Sequence, residues 1–174
     1  MAVINDYVSS SLVSTNTGRR RVRAQNAQGS DLIHICTTFE VAAADDNASV
    51  YRLFPNIPSG AVMHSLRLAC DAIANATDYD MGLYRPLSEG GAVVDKDILA
   101  DGMDISAGYS RILALDALVS VDLADVNKKL YELSIGGTPY TVANAPPFFD
   151  ICLTANTVGT AAGTITVFGA YWKP

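Results

Sequence analysis

Residues Gly163 to Trp172 read Gly-Thr-Ile-Thr-Val-Phe-Gly-Ala-Tyr-Trp, a pattern typical of a β-strand. A second strand pattern, Phe148 to Thr154, lies just upstream, and the small-residue stretch Ala155 to Ala162 separates the two. We therefore expect these two strands to pair as a hairpin that closes the sheet. Because this hairpin carries no residue typical of catalysis, the pattern favours a protein built for shape and adhesion.

Alternating apolar residues predict three strands further upstream. In Ile33 to Val41 the odd positions are mostly apolar and the even positions more polar, as a half-buried strand requires. A strand over Ser49 to Phe54 is followed by the turn-forming run Pro55 to Gly60, which we expect to end it. In Val62 to Cys70 the even positions form an apolar face, and we expect His64 to share that face.

The middle of the chain is less regular. Tyr79, Met81 and Leu83 alternate with polar or small residues and predict a strand, which Pro86 ends because proline cannot donate a ladder hydrogen bond. The Gly- and Asp-rich stretch Leu87 to Tyr109 indicates a surface loop with a short helical turn or an edge strand.

One segment has a helical period. Leu123, Val126, Leu130 and Leu133 follow one another at helical spacing, and Gly136 is placed to end the helix. Seven or eight strand patterns, separated by turn signals, accompany this single short helix. The count and spacing favour a sandwich or barrel over βαβ units, and we predict an all-β, antiparallel jelly-roll β-sandwich.

The first residues differ from the rest of the chain. Met1 to Gly29 is rich in polar residues and has no stable hydrophobic period, so it cannot bury enough surface to fold alone. We predict an extended N-terminal arm over residues 1–29 and a jelly-roll domain over residues 30–174. The arm contains a basic cluster, and this cluster is either solvated or docks on an acidic partner surface. Its members are Arg19, Arg20, Arg21 and Arg23.

Composition limits the classes of function. A chain of 174 residues fits one domain, and its net charge of −6 argues against a general nucleic-acid binder. Hydrophobic residues make up 49% and charged residues 17%, so we expect part of the surface to be buried against neighbouring subunits. We find neither a secretory signal pattern nor the ~20 continuous apolar residues of a membrane helix, and we expect a soluble protein made in a cytoplasm.

The three cysteines give no framework for disulfides or zinc. Cys36, Cys70 and Cys152 are widely separated and show no CxxC spacing, so each is expected to be a small buried apolar residue. His34 lies two residues before Cys36 on the same strand face, but no third residue is placed to orient such a pair.

The remaining candidate for chemistry is a group of acidic residues. Asp95, Asp97, Asp101 and Asp104 cluster in the long predicted loop, where several oxygen ligands would suit a weak cation site. The run lacks the EF-hand pattern, and we favour solvated loop acids. With no nucleophile, metal or phosphate-binding motif elsewhere, we predict a protein that is not an enzyme and has no cofactor.

Four segments taken in order resemble a known family. They are Asn47 to Asp71 (NASVYRLFPNIPSGAVMHSLRLACD), Asp78 to Tyr84 (DYDMGLY), Asn127 to Leu133 (NKKLYEL) and Phe149 to Tyr171 (FDICLTANTVGTAAGTITVFGAY). Together they resemble the capsid decoration, or cement, proteins of tailed bacteriophages and prophages. The string TAAGTITV is the most specific part of this resemblance.

The resemblance implies a jelly-roll protein that sits as a homotrimer on the outside of a phage head. It implies that the chain binds the major capsid protein and stabilises the shell, with the arginine cluster of the arm pairing with acidic capsid groups. The family has no catalytic residues to carry over. The alternative is a jelly-roll module of a head fibre that binds a glycan or a receptor, which would expose aromatic rings beside polar residues in a groove.

Overall fold

A computed structural model describes residues 4–5, 32–113, 127–133 and 140–174 of the chain. These residues contain nine strands and two short 3-10 turns, Leu87–Glu89 and Leu130–Glu132. The strands are β1 (Ile4–Asn5), β2 (Leu32–Val41), β3 (Ser49–Pro58), β4 (Val62–Cys70), β5 (Asp78–Tyr84), β6 (Val93–Met103), β7 (Tyr109–Leu113), β8 (Phe148–Thr157) and β9 (Gly163–Trp172).

The strands form two sheets that pack face to face. The five-stranded sheet has the order β1-β3-β8-β5-β6, and the four-stranded sheet has the order β2-β9-β4-β7. All neighbours are antiparallel except β1 and β3, which are parallel. From β2 onward, early strands lie beside late ones, β2 beside β9 and β3 beside β8, which is the arrangement of a jelly roll. The predicted all-β jelly-roll sandwich is confirmed.

The predicted hairpin of the last two strands is wrong. β8 lies between β3 and β5 in one sheet, whereas β9 lies between β2 and β4 in the other. The chain crosses between the sheets in residues 158–162, where the Thr160 N–H donates to the Ala74 carbonyl at 2.8 Å. Two adjacent strand patterns suggested a local pair, but each strand is instead hydrogen-bonded on both sides by strands distant in sequence.

The core lies between the two sheets. The predicted alternation of β2 is confirmed, because Thr37, Phe39 and Val41 are buried while the even positions from His34 to Glu40 are exposed. The Phe39 ring stacks on Tyr51 of the opposite sheet with 5.0 Å between centroids. The largest fully buried aliphatic side chains come from both sheets and from two of their connections: Leu53, Leu66, Leu68, Ile73, Met81, Leu83, Leu99 and Ile105.

Two strands contain bulges that the sequence pattern did not indicate. β3 does not end at Pro55 but continues to Pro58, with breaks in its register against β8 around Phe54. In β4, Met63 pairs with Tyr171 and Ser65 with Ala170, so His64 is an extra residue. The bulge reverses the alternation, and His64 is therefore exposed instead of sharing the apolar face of Leu66.

The predicted loop Leu87 to Tyr109 contains both a 3-10 turn and the long edge strand β6. The pairing of β5 with β6 jumps from Met81–Ala100 to Leu83–Asp95, so several extra residues of β6 bulge outward. They pass directly over Gly82, where an added Cβ would lie 2.1 Å from the Asp95 carbonyl oxygen. β6 therefore covers part of the outer face of the five-stranded sheet, and only glycine fits beneath it.

The predicted helix does not extend to Leu133. Residues Leu123 and Val126 lie outside the described residues, and Lys129 is extended (φ −68°, ψ 152°) before the 3-10 turn. The Leu130 N–H donates to the Ala61 carbonyl at 2.9 Å, so this backbone is bonded to another segment of the chain. Leu130, Tyr131 and Leu133 are buried, and this packing explains why their spacing looked helical.

The cysteines differ in burial. Cys152 is buried and Cys70 is half-buried, but Cys36 is exposed, so the prediction that all three are buried is wrong for Cys36. Cys36 occupies an even position of β2 and therefore points away from the core.

We predict that Gly82→Ala destabilises the fold by about 3 kcal/mol or more, because its Cβ would lie 2.1 Å from the carbonyl oxygen of Asp95 and 2.3 Å from the carbonyl carbon of Lys96. Gly60→Ala is the matched control, since its Cβ meets only the Pro174 side chain at 3.2 Å. Thermal unfolding of the two variants measures the difference. Equal melting temperatures would show that β6 does not cross Gly82 as described.

Candidate functional site

The outer face of the five-stranded sheet carries a polar layer, which we define as Arg52, Asp80, Lys96, Asp150 and Asn156, and of which Arg52, Asp80 and Asp150 are buried. Arg52 of β3 and Asp150 of β8 form an ion pair with 2.6 Å between Nη1 and Oδ2, and their side chains are 5% and 2% exposed. Arg52 also donates to the carbonyls of Arg85 at 3.1 Å and Gly91 at 2.9 Å. The other oxygen of Asp150 accepts the Asn56 N–H at 2.8 Å. The pair is thus both desolvated and hydrogen-bonded.

A second ion pair joins β5 to the bulge of β6. The Lys96 ammonium lies 2.9 Å from Oδ2 of Asp80, which also accepts a hydrogen bond from Asn156 at 2.6 Å. The other oxygen of Asp80 accepts the Gly102 N–H at 3.0 Å. Burial by itself would raise the pKa of Asp80, but the hydrogen bonds from Gly102, Lys96 and Asn156 outweigh it and lower this pKa.

The polar layer is arranged for stability. Each of its two carboxylates lies against a cationic side chain and also accepts a hydrogen bond from a backbone N–H, so the oxygens of both are engaged within the fold. The layer links β3, β5, β6 and β8 on the side of the sheet away from the core. Sequence reasoning missed it, because Arg52 and Asp150 are distant in sequence and each stands alone within an apolar strand.

The acidic residues lie on or beside β6. Asp95 and Asp97 lie in its bulged part, Asp101 lies near its end, and Asp104 follows it. A hydrogen bond with Asp95, burial and the charges of Asp95 and Asp101 raise the pKa of Asp97 to about 6. Hydrogen bonds from Ser106 lower the pKa of Asp104. Over the part of the chain that the structure describes, no group of three or more His, Cys, Asp or Glu residues could hold a metal ion.

The outward side of the four-stranded sheet, which we call the open face, carries exposed polar, apolar and charged side chains, with Glu40 on β2 and Arg67 on β4. Phe168 of β9 is 43% exposed on this face, and its register partners are Cys36 on β2 and Arg67 on β4. Beside it, the hydroxyls of Thr38 and Thr166 hydrogen-bond at 2.9 Å. The exposure of Phe168 could have been predicted from the sequence, because the residue occupies an even position of β9 between the buried Val167 and Gly169.

The open face also holds both histidines that the sequence analysis considered. His34 and Cys36 are exposed on the same side of β2, as expected. His64 projects from the β4 bulge, and its ring meets Trp172 edge-on with 5.9 Å between centroids. The two imidazoles thus lie on strands that β9 separates, so they are not placed to act together on one substrate.

The arm residues Arg19, Arg20, Arg21 and Arg23 lie outside the described residues, so their docking stays a prediction. Of the arm, the structure describes Ile4 and Asn5, whose backbones pair in parallel with Val50 and Tyr51 of β3. No helix in the described ranges is long and apolar enough to cross a membrane.

We predict that Arg52→Met costs about 3–5 kcal/mol of unfolding free energy, because it leaves the Asp150 carboxylate buried without its cation. The double variant Arg52→Met/Asp150→Leu should regain much of that loss. Arg85→Met is the control, because its ion pair with Glu89 is 3.3 Å long and about one-third exposed, and it should cost less than about 1 kcal/mol. Urea denaturation measures all three, and similar losses for Arg52→Met and Arg85→Met would contradict the prediction.

We also predict a pH effect centred on Asp97. Because its pKa is raised in the folded protein, the folded state binds a proton that the unfolded chain releases, and the resulting stabilisation is lost as pH rises through about 6. Wild type should therefore lose stability relative to Asp97→Asn between pH 5 and 7.5. Relative to Asp104→Asn, wild type should show no such loss, because the pKa of Asp104 is lowered and its contribution does not change over this range. Urea denaturation at each pH measures the free energy of unfolding of both proteins. A difference in this free energy that stays constant from pH 5 to 7.5 would refute the effect.

No protein-family model and no curated protein matches this chain. Among solved structures, a chain from the capsid of Ralstonia phage GP4 is similar, with a TM-score of 0.55 and 16% identity over 86% of this chain and 88% of that chain. A chain from the cyanophage Pam1 capsid asymmetric unit covers 92% of this chain and 99% of its own length at 16% identity, with a TM-score of 0.39. The likeness to the GP4 chain shows a common fold, and both structural neighbours come from phage capsids.

Proposed function

We propose that this chain is a structural protein of a tailed-phage head, which binds the major capsid protein on the outside of the shell and stabilises it as a homotrimer. The observation that carries this proposal is the jelly-roll fold shared with a chain from the GP4 phage capsid along most of both chains. The resemblance of the four sequence segments to decoration proteins supports the finer assignment to decoration.

The construction of the sandwich suits such a role. One sheet is braced on its outer side by the polar layer and the β6 bulge, whereas the other presents the open face to its surroundings. A cement protein must stay rigid while it makes many weak contacts, which symmetry then repeats over the shell. We assign contacts with the major capsid protein to the open face around Phe168 and to the arm over residues 1–29.

The alternative glycan-binding module would need exposed aromatic rings in a polar groove. Most aromatic residues in the described part of the chain are buried, among them Tyr51, Phe54, Tyr79, Tyr84 and Tyr171. Among the described residues the exposed rings are Phe148 and Phe168, and Phe168 lies on the open face with Cys36 and Arg67 as its register partners. The described geometry therefore favours a surface that contacts a protein.

The proposal predicts that the chain is a major component of purified virions. Quantitative mass spectrometry of heads from the encoding phage or prophage should find it at a copy number near that of the major capsid protein. Virions that contain only trace amounts of the chain would contradict a decorating role.

A second prediction concerns the arm. Changing Arg19, Arg20, Arg21 and Arg23 to glutamine should weaken binding to shells assembled from the major capsid protein by about ten-fold or more, because these charges would face acidic capsid groups. The control changes Lys128 and Lys129 to glutamine, which removes positive charge elsewhere. Co-sedimentation with the shells measures binding, and equal binding by the two variants would remove the role of the arm.

A further inference from the structure

The strand β2 is an unusual sheet edge. Proteins commonly protect sheet edges by short strands, bulges, prolines or charges, because an open edge pairs readily with another chain. Among the described edges, β1 and β7 are short, and β6 is bulged and carries Asp95, Lys96 and Asp97. By contrast, β2 has ten residues in unbroken register with β9, has no proline, and directs no charged side chain inward.

A buried hydroxyl lies at the middle of this edge. Thr37 faces inward and is 1% exposed, yet its Oγ1 has no hydrogen-bond partner among the residues that the structure describes. A buried hydroxyl without a partner destabilises a fold, so natural structures rarely leave one unexplained. On the same side of β2, Ile33 and Ile35 pack against the core but are only partly buried. A second strand laid along β2 would cover both isoleucines and could supply a partner for the hydroxyl.

We propose that β2 of a second copy pairs antiparallel with β2 about a two-fold axis that passes through Thr37. The four-stranded sheets of the two copies then form one continuous sheet across the interface. The two Thr37 side chains lie opposite each other and hydrogen-bond, a cross-strand threonine pair of the kind that stabilises antiparallel strands. Ile35 lies opposite Phe39 of the second copy, so each partly covered isoleucine gains an aromatic neighbour.

Chemical complementarity selects this register. Opposed residues of antiparallel strands share a face, so a two-fold pairing of β2 must centre on one residue. With the centre at Thr37, His34 lies opposite Glu40 and an imidazole faces a carboxylate. With the centre at Cys36, Glu40 would face Leu32, and with the centre at Thr38 it would face Cys36. Only the centre at Thr37 also brings the two buried hydroxyls together.

The pairing adds a symmetry element to the proposed function. A homotrimer supplies three-fold contacts, and two-fold contacts between β2 edges would join neighbouring trimers into a net over the shell. This extension rests on the proposed function, whereas the pairing of β2 with itself does not. Self-association of the purified protein therefore tests the inference separately from shell binding.

Disulfide trapping tests the register directly. In the proposed pairing Cys36 lies opposite Thr38, at a separation that suits a disulfide. Thr38→Cys should therefore give disulfide-linked dimers under mild oxidation, with a peptide that joins positions 36 and 38. Glu40→Cys is the control, because position 40 is displaced along the strand beyond the ~7 Å Cα separation that a disulfide can span. Failure of Thr38→Cys to cross-link, or equal cross-linking by wild type or Glu40→Cys, would overturn the register.

Sedimentation equilibrium tests the association without cross-links. Cys36→Lys/Thr38→Lys places two charges on the edge and should abolish the two-fold association, so its assembled mass should fall to half that of wild type or less. Thr164→Lys adds a charge to the same face on the interior strand β9 and should keep the wild-type mass. An unchanged mass for the edge variant, or a wild-type protein that shows no two-fold association, would overturn the inference.

The buried hydroxyl gives a third test. Thr37→Val has a similar shape but cannot hydrogen-bond, so it should weaken the association about five-fold. In the dissociated Cys36→Lys/Thr38→Lys background the same change should not lower the melting temperature, because it removes a polar group that has no partner there. Unchanged association of Thr37→Val would show that the hydroxyl does not bond across the edge.

Discussion

The interior positions of β8 and β9 determine how the whole sandwich is held together. β8 hydrogen-bonds to β3 and β5, and β9 hydrogen-bonds to β2 and β4, so each sheet is assembled around a strand from the last part of the sequence. These pairings join residues far apart along the chain, and their loop-closure entropy must be overcome before the core can form. The crossing at residues 158–162 then fixes the two sheets face to face.

The outer faces of the two sheets differ in how far they are buried. In the five-stranded sheet, ion pairs and the β6 bulge bury the side away from the core, so this sheet is enclosed on both sides. In the four-stranded sheet, the corresponding side is exposed, and Phe168 lies there between Cys36 and Arg67 of the neighbouring strands. The five-stranded sheet thus keeps the domain rigid, and the four-stranded sheet leaves a surface open for contacts. This division suits the proposed role of binding a shell.

Local alternation in the sequence predicted the strands well, because period-two patterns such as that of β2 depend only on which residues face the core. It failed wherever one extra residue changed the phase, as at His64, or where a strand ran through proline, as in β3. The alternation also did not predict which strands pair, since nothing in the sequence of β8 indicates that its neighbours are β3 and β5. The fold class was accessible from the sequence, whereas the polar layer depended on pairings such as Arg52 with Asp150 that only the topology supplies.

The contact between His64 and Trp172 has a practical consequence. Trp172 is the single tryptophan of the chain, and it lies at the end of the strand around which the four-stranded sheet is built. Its indole meets the His64 imidazole edge-on, so quenching by that ring depends on β4 and β9 staying in register. Intrinsic fluorescence therefore provides an unlabelled optical reporter of the pairing between β4 and β9.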